Sequence, residues 1–387
     1  MPAFTDYYNK HGIIPVSQEI NERHFRRRSH LYKELGCPPT SFLNNRILEI
    51  GAGTGDNSVV TSSFGPQSYT FWDGSTEAFK AINQKIEQGI IKNASVELVN
   101  VFSSEFTEDN RTFDVVICEG ASAQDEPKEF YKRVLSKINR NHGIGIITTS
   151  TTLSSLPELL RKIWYIPLAG MEFENGSKTA AEIFKNHLAW LKGVSRPAID
   201  WVNDSIMQPS PANFSIDISE ILEMCNEEFE GRMEFLGSSS PRFFSDYTWY
   251  KQCSKNGIDF NKFVSEEWSR CKICLIDSRL SKQDVEKITY KYPCLASNLE
   301  EISKEIAVNI SNIFNPSNVD TAIAKIKICT HEMENILSNI EELVLTYQAI
   351  KDFNIALPMI CDGNINTPTG KFEQWWGRGQ QYLSLTY

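Results

Sequence analysis

Between residues 46 and about 149 the chain alternates short apolar runs with longer stretches in which apolar residues recur every three or four positions. The runs at 46–50, 69–72, 96–99, 113–118 and 143–148 have strand length, while 75–88 and 127–138 have helical periodicity. Strands alternating with helices predict a mostly parallel sheet covered on both faces. Upstream, residues 1–45 are polar and aromatic. They include a basic helical stretch, Arg23-His24-Phe25-Arg26-Arg27-Arg28, which Cys37-Pro38-Pro39-Thr40 ends because proline lacks a donor and fixes its own φ.

Beyond Thr151 the pattern changes. Residues 156–166, 179–191 and 218–228 read as helices, with a loop around Ser195-Arg196-Pro197, and 233–236 reads as a short strand. From about 251 to 370 strand signals nearly vanish. Leu295, Leu299, Ile302, Ile306, Ile310 and Ile313 step by three and four, the spacing of one buried helix face. Val319, Ile323, Ile326, Met333, Ile340, Tyr347 and Ile350 trace a second, longer helix, and Asn315-Pro316-Ser317-Asn318 separates the two as a turn, so an antiparallel hairpin is expected. The final residues, 380–387, alternate like a strand.

Composition narrows the class. A chain of 387 residues with 41% hydrophobic and 23% charged residues has ordinary globular usage, which excludes a disordered or collagen-like chain. No apolar run is long enough for a membrane span, and the N-terminus lacks a basic-then-apolar signal pattern. Nine scattered cysteines suit reduced thiols, so a cytoplasmic protein is expected. The net charge of −10 argues against a nucleic-acid backbone as partner. Cys271 and Cys274 have metal-ligand spacing but no second pair, so no metal site is assigned.

The strongest chemical signal is Arg46-Ile47-Leu48-Glu49-Ile50-Gly51-Ala52-Gly53-Thr54-Gly55, an apolar strand running into three alternate glycines. Glycine permits the tight strand-to-helix turn and lets a ligand approach the backbone. Asp56 stands where a dinucleotide fingerprint needs its last glycine, and no Gly-Lys-Ser/Thr follows as in a P-loop. A nucleoside-like ligand without a pyrophosphate fits better. Asp73, at the end of the next strand, is placed to accept hydrogen bonds from both ribose hydroxyls.

Glu49-Ile50-Gly51-Ala52-Gly53-Thr54-Gly55 resembles the first motif of class I S-adenosylmethionine-dependent methyltransferases. Asp73 corresponds to their ribose-binding acid, and Phe113-Asp114-Val115-Val116-Ile117-Cys118-Glu119-Gly120 is similar to their fourth strand. The resemblance implies S-adenosylmethionine held by Glu49, Gly51, Ala52, Gly53, Gly55, Asp73, Gly74 and Glu119. Phe102 would meet the adenine where the family often has an Asp. It also implies a Rossmann-like α/β sheet, mostly parallel, with its last strand antiparallel. On that plan residues 1–250 form the core with an N-terminal lid and helical cap. Residues 251–370 are a helical insertion, and 371–387 return a strand to the sheet. Tyr7 to Val16, Ser195 to Val202 and Ser240 to Phe244 look like segments of bacterial methyltransferases of unsettled substrate.

Methyl transfer to a hydroxyl calls for position and a base. His187, on a helix expected to roof the cleft, is the candidate base; Asp204, Asp246 and Tyr247 are candidates for orienting the acceptor. The basic stretch 23–33 reads either as a solvated helix face or as a contact to an anionic substrate group. The expected reaction is methylation of an oxygen or nitrogen of a small polar acceptor, such as a sugar or sugar nucleotide. Two alternatives stand beside it: a protein side-chain methyltransferase, and a non-catalytic binding or assembly protein on this scaffold. The helical insertion leaves room for a homo-oligomer.

Overall fold

Alternate residues of β1 (Arg46–Ile50) face opposite sides of a sheet that is covered on both. Ile47 shares a buried cluster with Tyr32, Phe42 and Val59, whereas Leu48 and Ile50 belong to another that includes Phe130, Val134 and Leu153. Burial on both faces explains why the central strands read as continuous apolar runs. The computed structural model describes residues 7, 10–11, 20–120, 126–191, 197–208, 216–239 and 260–387.

Helix α1 (Glu22–Glu34) precedes β1, and four strand–helix units follow. They run through α2 (Asp56–Ser62), β2 (Ser68–Asp73), α3 (Thr76–Glu87), β3 (Ala94–Leu98), α4 (Ser104–Glu108), β4 (Val115–Cys118), α5 (Pro127–Leu135) and β5 (Ile144–Thr149). Next come α6 (Thr152–Arg161), α7 (Tyr165–Leu168), α8 (Phe173–Leu188), α9 (Ala198–Ser205), α10 (Ile218–Glu228) and β6 (Glu234–Ser238). The seven-stranded sheet has the order β3-β2-β1-β4-β5-β7-β6, where β7 (Gln381–Thr386) runs antiparallel between β5 and β6. This is the Rossmann-like class I methyltransferase arrangement. Because β2 lies on one side of β1 and β4 on the other, the topology switches direction between β1 and β4. A crevice outside the carboxyl ends of those strands is the general ligand position of such sheets.

Among the described residues, five α-helices stand between β6 and β7: α11 (Phe260–Cys271), α12 (Lys282–Lys291), α13 (Leu295–Asn312), α14 (Val319–Leu337) and α15 (Val344–Cys361). The turn at Asn315 to Asn318 separates α13 from α14 as expected, but the second long helix is two. Ser338 turns its hydroxyl back onto the Asn335 carbonyl, and Ile340 takes an extended backbone (φ −111, ψ 99) while its side chain stays buried. The anticipated helix 156–166 instead begins at Thr152, because Thr151 and Ser154 form a reciprocal capping box ahead of it. One buried cluster runs without a break from Val116 in the sheet through Leu153 and Leu160 to Ile306, Ile326 and Phe353. The added helices therefore share a core with the sheet.

Candidate active site

The glycine loop leaves β1 with all three glycines at positive φ, 72° at Gly51, 58° at Gly53 and 75° at Gly55. An L side chain is disfavoured in each of these conformations. A methyl group added at Gly53 would meet nothing within 4 Å, so the loop presents bare backbone to open space there, whereas one at Gly55 would meet Ile82 at 3.4 Å. The Gly53 N–H donates to Asp73 Oδ2 at 3.2 Å and the Ser75 N–H to Asp73 Oδ1 at 2.9 Å. Burial raises the Asp73 carboxyl above its ordinary range, and the two backbone donors oppose the shift. The acid is thereby fixed at the end of β2 beside the loop, with one backbone donor on each oxygen and lone pairs left over.

Glu49 lies beneath the loop. It is 4% exposed, accepts a hydrogen bond from the Tyr69 hydroxyl, and is pushed up to about 7 by burial and then by the charge of Glu119. Glu119 follows β4, on the far side of β1, and its carboxylate is held by the protein itself. Arg28 Nη2 donates to both of its oxygens at 2.6 Å, and the Tyr32 hydroxyl donates to Oε1 at 3.2 Å. Arg28 also donates to the hydroxyls of Tyr32 at 2.5 Å and of Tyr382, on β7, at 3.3 Å. Burial alone would lower the Arg28 guanidinium, and the adjacent Glu119 charge outweighs it and raises it. The basic helix is thus only partly the solvated face expected from sequence. Arg28, 2% exposed, crosses the sheet's carboxyl edge and joins α1, β4 and β7. His24, Arg28, Tyr32 and Leu35 share one helical face, which was the available signal; the run of arginines obscured it.

Phe102, beyond β3, is 37% exposed, with the Arg133 guanidinium 5.6 Å from its ring and the Phe130 ring at 6.1 Å. Gly74 adjoins Asn100, whose side chain accepts from the Phe102 N–H at 2.9 Å. The structure therefore gathers Gly51, Ala52, Gly53, Gly55, Asp73 and Gly74 at one crevice, with Phe102 at its β3 side and Glu119 at its β4 side.

The catalytic expectations fare differently. His187 is 3% exposed and does not face a cleft. Its Nδ1 accepts from Arg161 Nε at 3.2 Å, its Nε2 stands 3.5 Å from the Thr369 hydroxyl, and Trp164, Phe184 and Phe372 surround the ring. Burial, then the Arg161 charge, pushes its pKa down to about 2. Both nitrogens are engaged within the protein, so the expectation of a cleft-roof base gives way to a packed, neutral ring. Asp204 is half-buried on α9, near Tyr7, whose hydroxyl donates to the Asn203 carbonyl at 2.7 Å. Burial raises the Tyr7 phenol, and the Asp204 charge adds to this. Asp246 and Tyr247 lie outside the described residues, as do Arg242 and most of the N-terminal lid segment. Among the described residues, no group of His, Cys, Asp and Glu has the arrangement of a metal site, and no helix is long and apolar enough to cross a membrane.

A family model of the methyltransferase domain matches residues 47–141, the stretch from β1 past α5. No curated protein matches the chain. Among solved structures, the chain is similar to PKMT2 of Rickettsia typhi at 15% identity and a TM-score of 0.38, over 64% of this chain and 50% of that one. It is also similar to magnesium protoporphyrin IX methyltransferase of Synechocystis PCC 6803, solved with bound S-adenosylmethionine, at 15% identity and a TM-score of 0.30 over 38% and 74%. A third likeness is to the ribosomal protein L11 methylase of Lactobacillus delbrueckii subsp. bulgaricus, at 16% identity and a TM-score of 0.27 over 35% and 64%. The chain spans half the length of the first of these. Residues 47–141 thus match a methyltransferase domain, and the strand order and glycine loop agree with the class I arrangement.

Proposed function

We propose that the chain transfers a methyl group from S-adenosylmethionine to an oxygen or nitrogen of a small polar acceptor, with a sugar or sugar nucleotide as the favoured class. The carrying observation is Asp73, fixed by the Gly53 and Ser75 N–H groups beside a loop that at Gly53 presents bare backbone to open space. The donor set fits a nucleoside. Asp73 accepts from the ribose hydroxyls, Gly51 to Gly55 lie along the amino-acid portion, and Phe102 stacks near the base. When bound, the cofactor supplies an electrophilic methyl on a sulfonium. Glu49, beneath the loop, and Glu119, anchored by Arg28, hold the walls on either side.

On the acceptor side, Asp204, Asp246 and Tyr247 orient the polar group, while His187 serves packing. Residues 1–250 act as the methyltransferase core, 251–370 as a helical insertion and 371–387 as the strand that completes the sheet. The acceptor is a small molecule and not a nucleic acid, the setting is cytoplasmic, and a homo-oligomer is compatible with the insertion.

Incubation with methyl-labelled S-adenosylmethionine in a cell extract tests the reading. Label is expected in the small-molecule fraction. Label confined to protein favours side-chain methylation, and no label with intact S-adenosylhomocysteine binding favours a non-catalytic role.

A further inference from the structure

The first turn of α6 lies directly after β5, at the carboxyl edge of the sheet, and two parts of the chain beyond β6 converge on it. From α13, the Glu300 carboxylate accepts the Thr152 N–H at 3.1 Å, the Thr152 hydroxyl at 2.7 Å and the Leu153 N–H at 3.3 Å. These are backbone donors that a helix start leaves without intrahelical partners. Glu300 is 5% exposed, and burial raises its carboxyl above the ordinary range. From the segment entering β7, Gly379 N–H donates to the Ser154 carbonyl at 3.3 Å, and an added methyl at Gly377 would stand 2.0 Å from that same oxygen.

The other end of this turn reaches the crevice. Thr148 pairs with Tyr382, and its hydroxyl accepts the Gly120 N–H, next to Glu119, at 2.8 Å. The Thr149 hydroxyl donates to the Ile216 carbonyl. Residues 148–153 therefore connect the anchored end of β4 to a carboxylate supplied by the insertion. Three hydrogen bonds onto one carboxyl group hold the turn to α13.

We propose that Glu300 is a positioning residue: a carboxylate from the helical insertion that holds the turn after β5 in the shape the methyl acceptor meets. The insertion is then part of the acceptor side of the site. The activity readout of this inference rests on the methyltransferase reading; its structural readout does not.

The test compares full-length parent, Glu300→Ala and Glu300→Gln by amide exchange over residues 144–155, by calorimetric affinity for S-adenosylhomocysteine, and by transfer of labelled methyl into the small-molecule fraction of a cell extract. Glu300→Ala is expected to speed exchange at 150–153 and to slow transfer roughly tenfold to a hundredfold, the scale of a misplaced reacting group, with cofactor affinity nearly unchanged. Glu300→Gln keeps an oxygen facing Thr152 and is expected to restore most of the transfer. Thr152→Val removes one donor from the opposite side and must give the same split at smaller size, which covers an alanine variant that fails to fold. Transfer equal to the parent in Glu300→Ala, or transfer and cofactor affinity falling together, overturns the proposal. If the parent neither binds S-adenosylhomocysteine nor transfers methyl, the methyltransferase reading fails instead. Exchange then decides alone, and unchanged protection at 150–153 overturns the positioning role.

Discussion

At the carboxyl end of β1, Gly53 has a φ of 58° and nothing within 4 Å of the methyl group an alanine would add. At the entry to β7, Gly377 has no positive φ, yet the same methyl would stand 2.0 Å from the Ser154 carbonyl oxygen and 3.0 Å from that of Leu275. The first glycine is required by its backbone conformation and faces open space; the second is required by the protein's own packing. The same residue type thus marks an open turn at the end of β1 and the seam between the sheet and the helices that precede β7.

Substitutions separate the two demands. Gly377→Ala places a side chain against backbone that cannot swing away, and a loss of about 3 kcal/mol or more is expected by denaturant unfolding. A variant as stable as the parent would show that the seam is loose. Arg28→Ala leaves Glu119 buried without its cation, at a cost of about 3–5 kcal/mol, and S-adenosylhomocysteine affinity should fall with it. An unaffected affinity would detach Glu119 from the cofactor crevice.

His187 gives the seam a pH signature. Its folded pKa is depressed to about 2 from 6.5 by burial and Arg161, so the folded chain keeps the ring neutral while the unfolded chain takes up a proton below 6.5. The stability is whole above that value and is lost as pH falls, by up to about 1.4 kcal/mol per pH unit. The slope between pH 6.5 and about 4.5 should be shallower in His187→Asn, measured by thermal unfolding. Equal slopes would mean that the ring is not kept neutral. Gly53→Ala has the smallest expected stability effect, about 1 kcal/mol of backbone strain, but should weaken S-adenosylhomocysteine binding far more than Gly377→Ala does at equal folded fraction.

The contrast also explains what could be read from the sequence. The glycine loop, Asp73 and the strand–helix alternation were legible because each is a local demand: a φ that only glycine adopts freely, an acid at a strand end, a run buried on both faces. The return of β7 between β5 and β6 was legible from its alternation together with the family's sheet plan. Arg28 and His187 were not, since their roles depend on partners 91 and 182 residues away, Glu119 and Thr369. Arginine in a basic helix looks solvated until its carboxylate is found. Histidine near aromatic residues looks catalytic until Arg161 and Thr369 close around it. The break at Ser338 to Ile340 was hidden because the apolar spacing continues across it.

The β1 loop and Asp73 are proposed to hold S-adenosylmethionine. Calorimetric titration of the parent and of Asp73→Ala with S-adenosylhomocysteine, and of the parent with NADH, tests it most directly. The parent is expected to bind S-adenosylhomocysteine and not NADH, and Asp73→Ala to bind more weakly by about 1–3 kcal/mol, the scale of hydrogen bonds lost from a charged group. Equal affinity of the two proteins for S-adenosylhomocysteine, or tight NADH binding in its place, would contradict it.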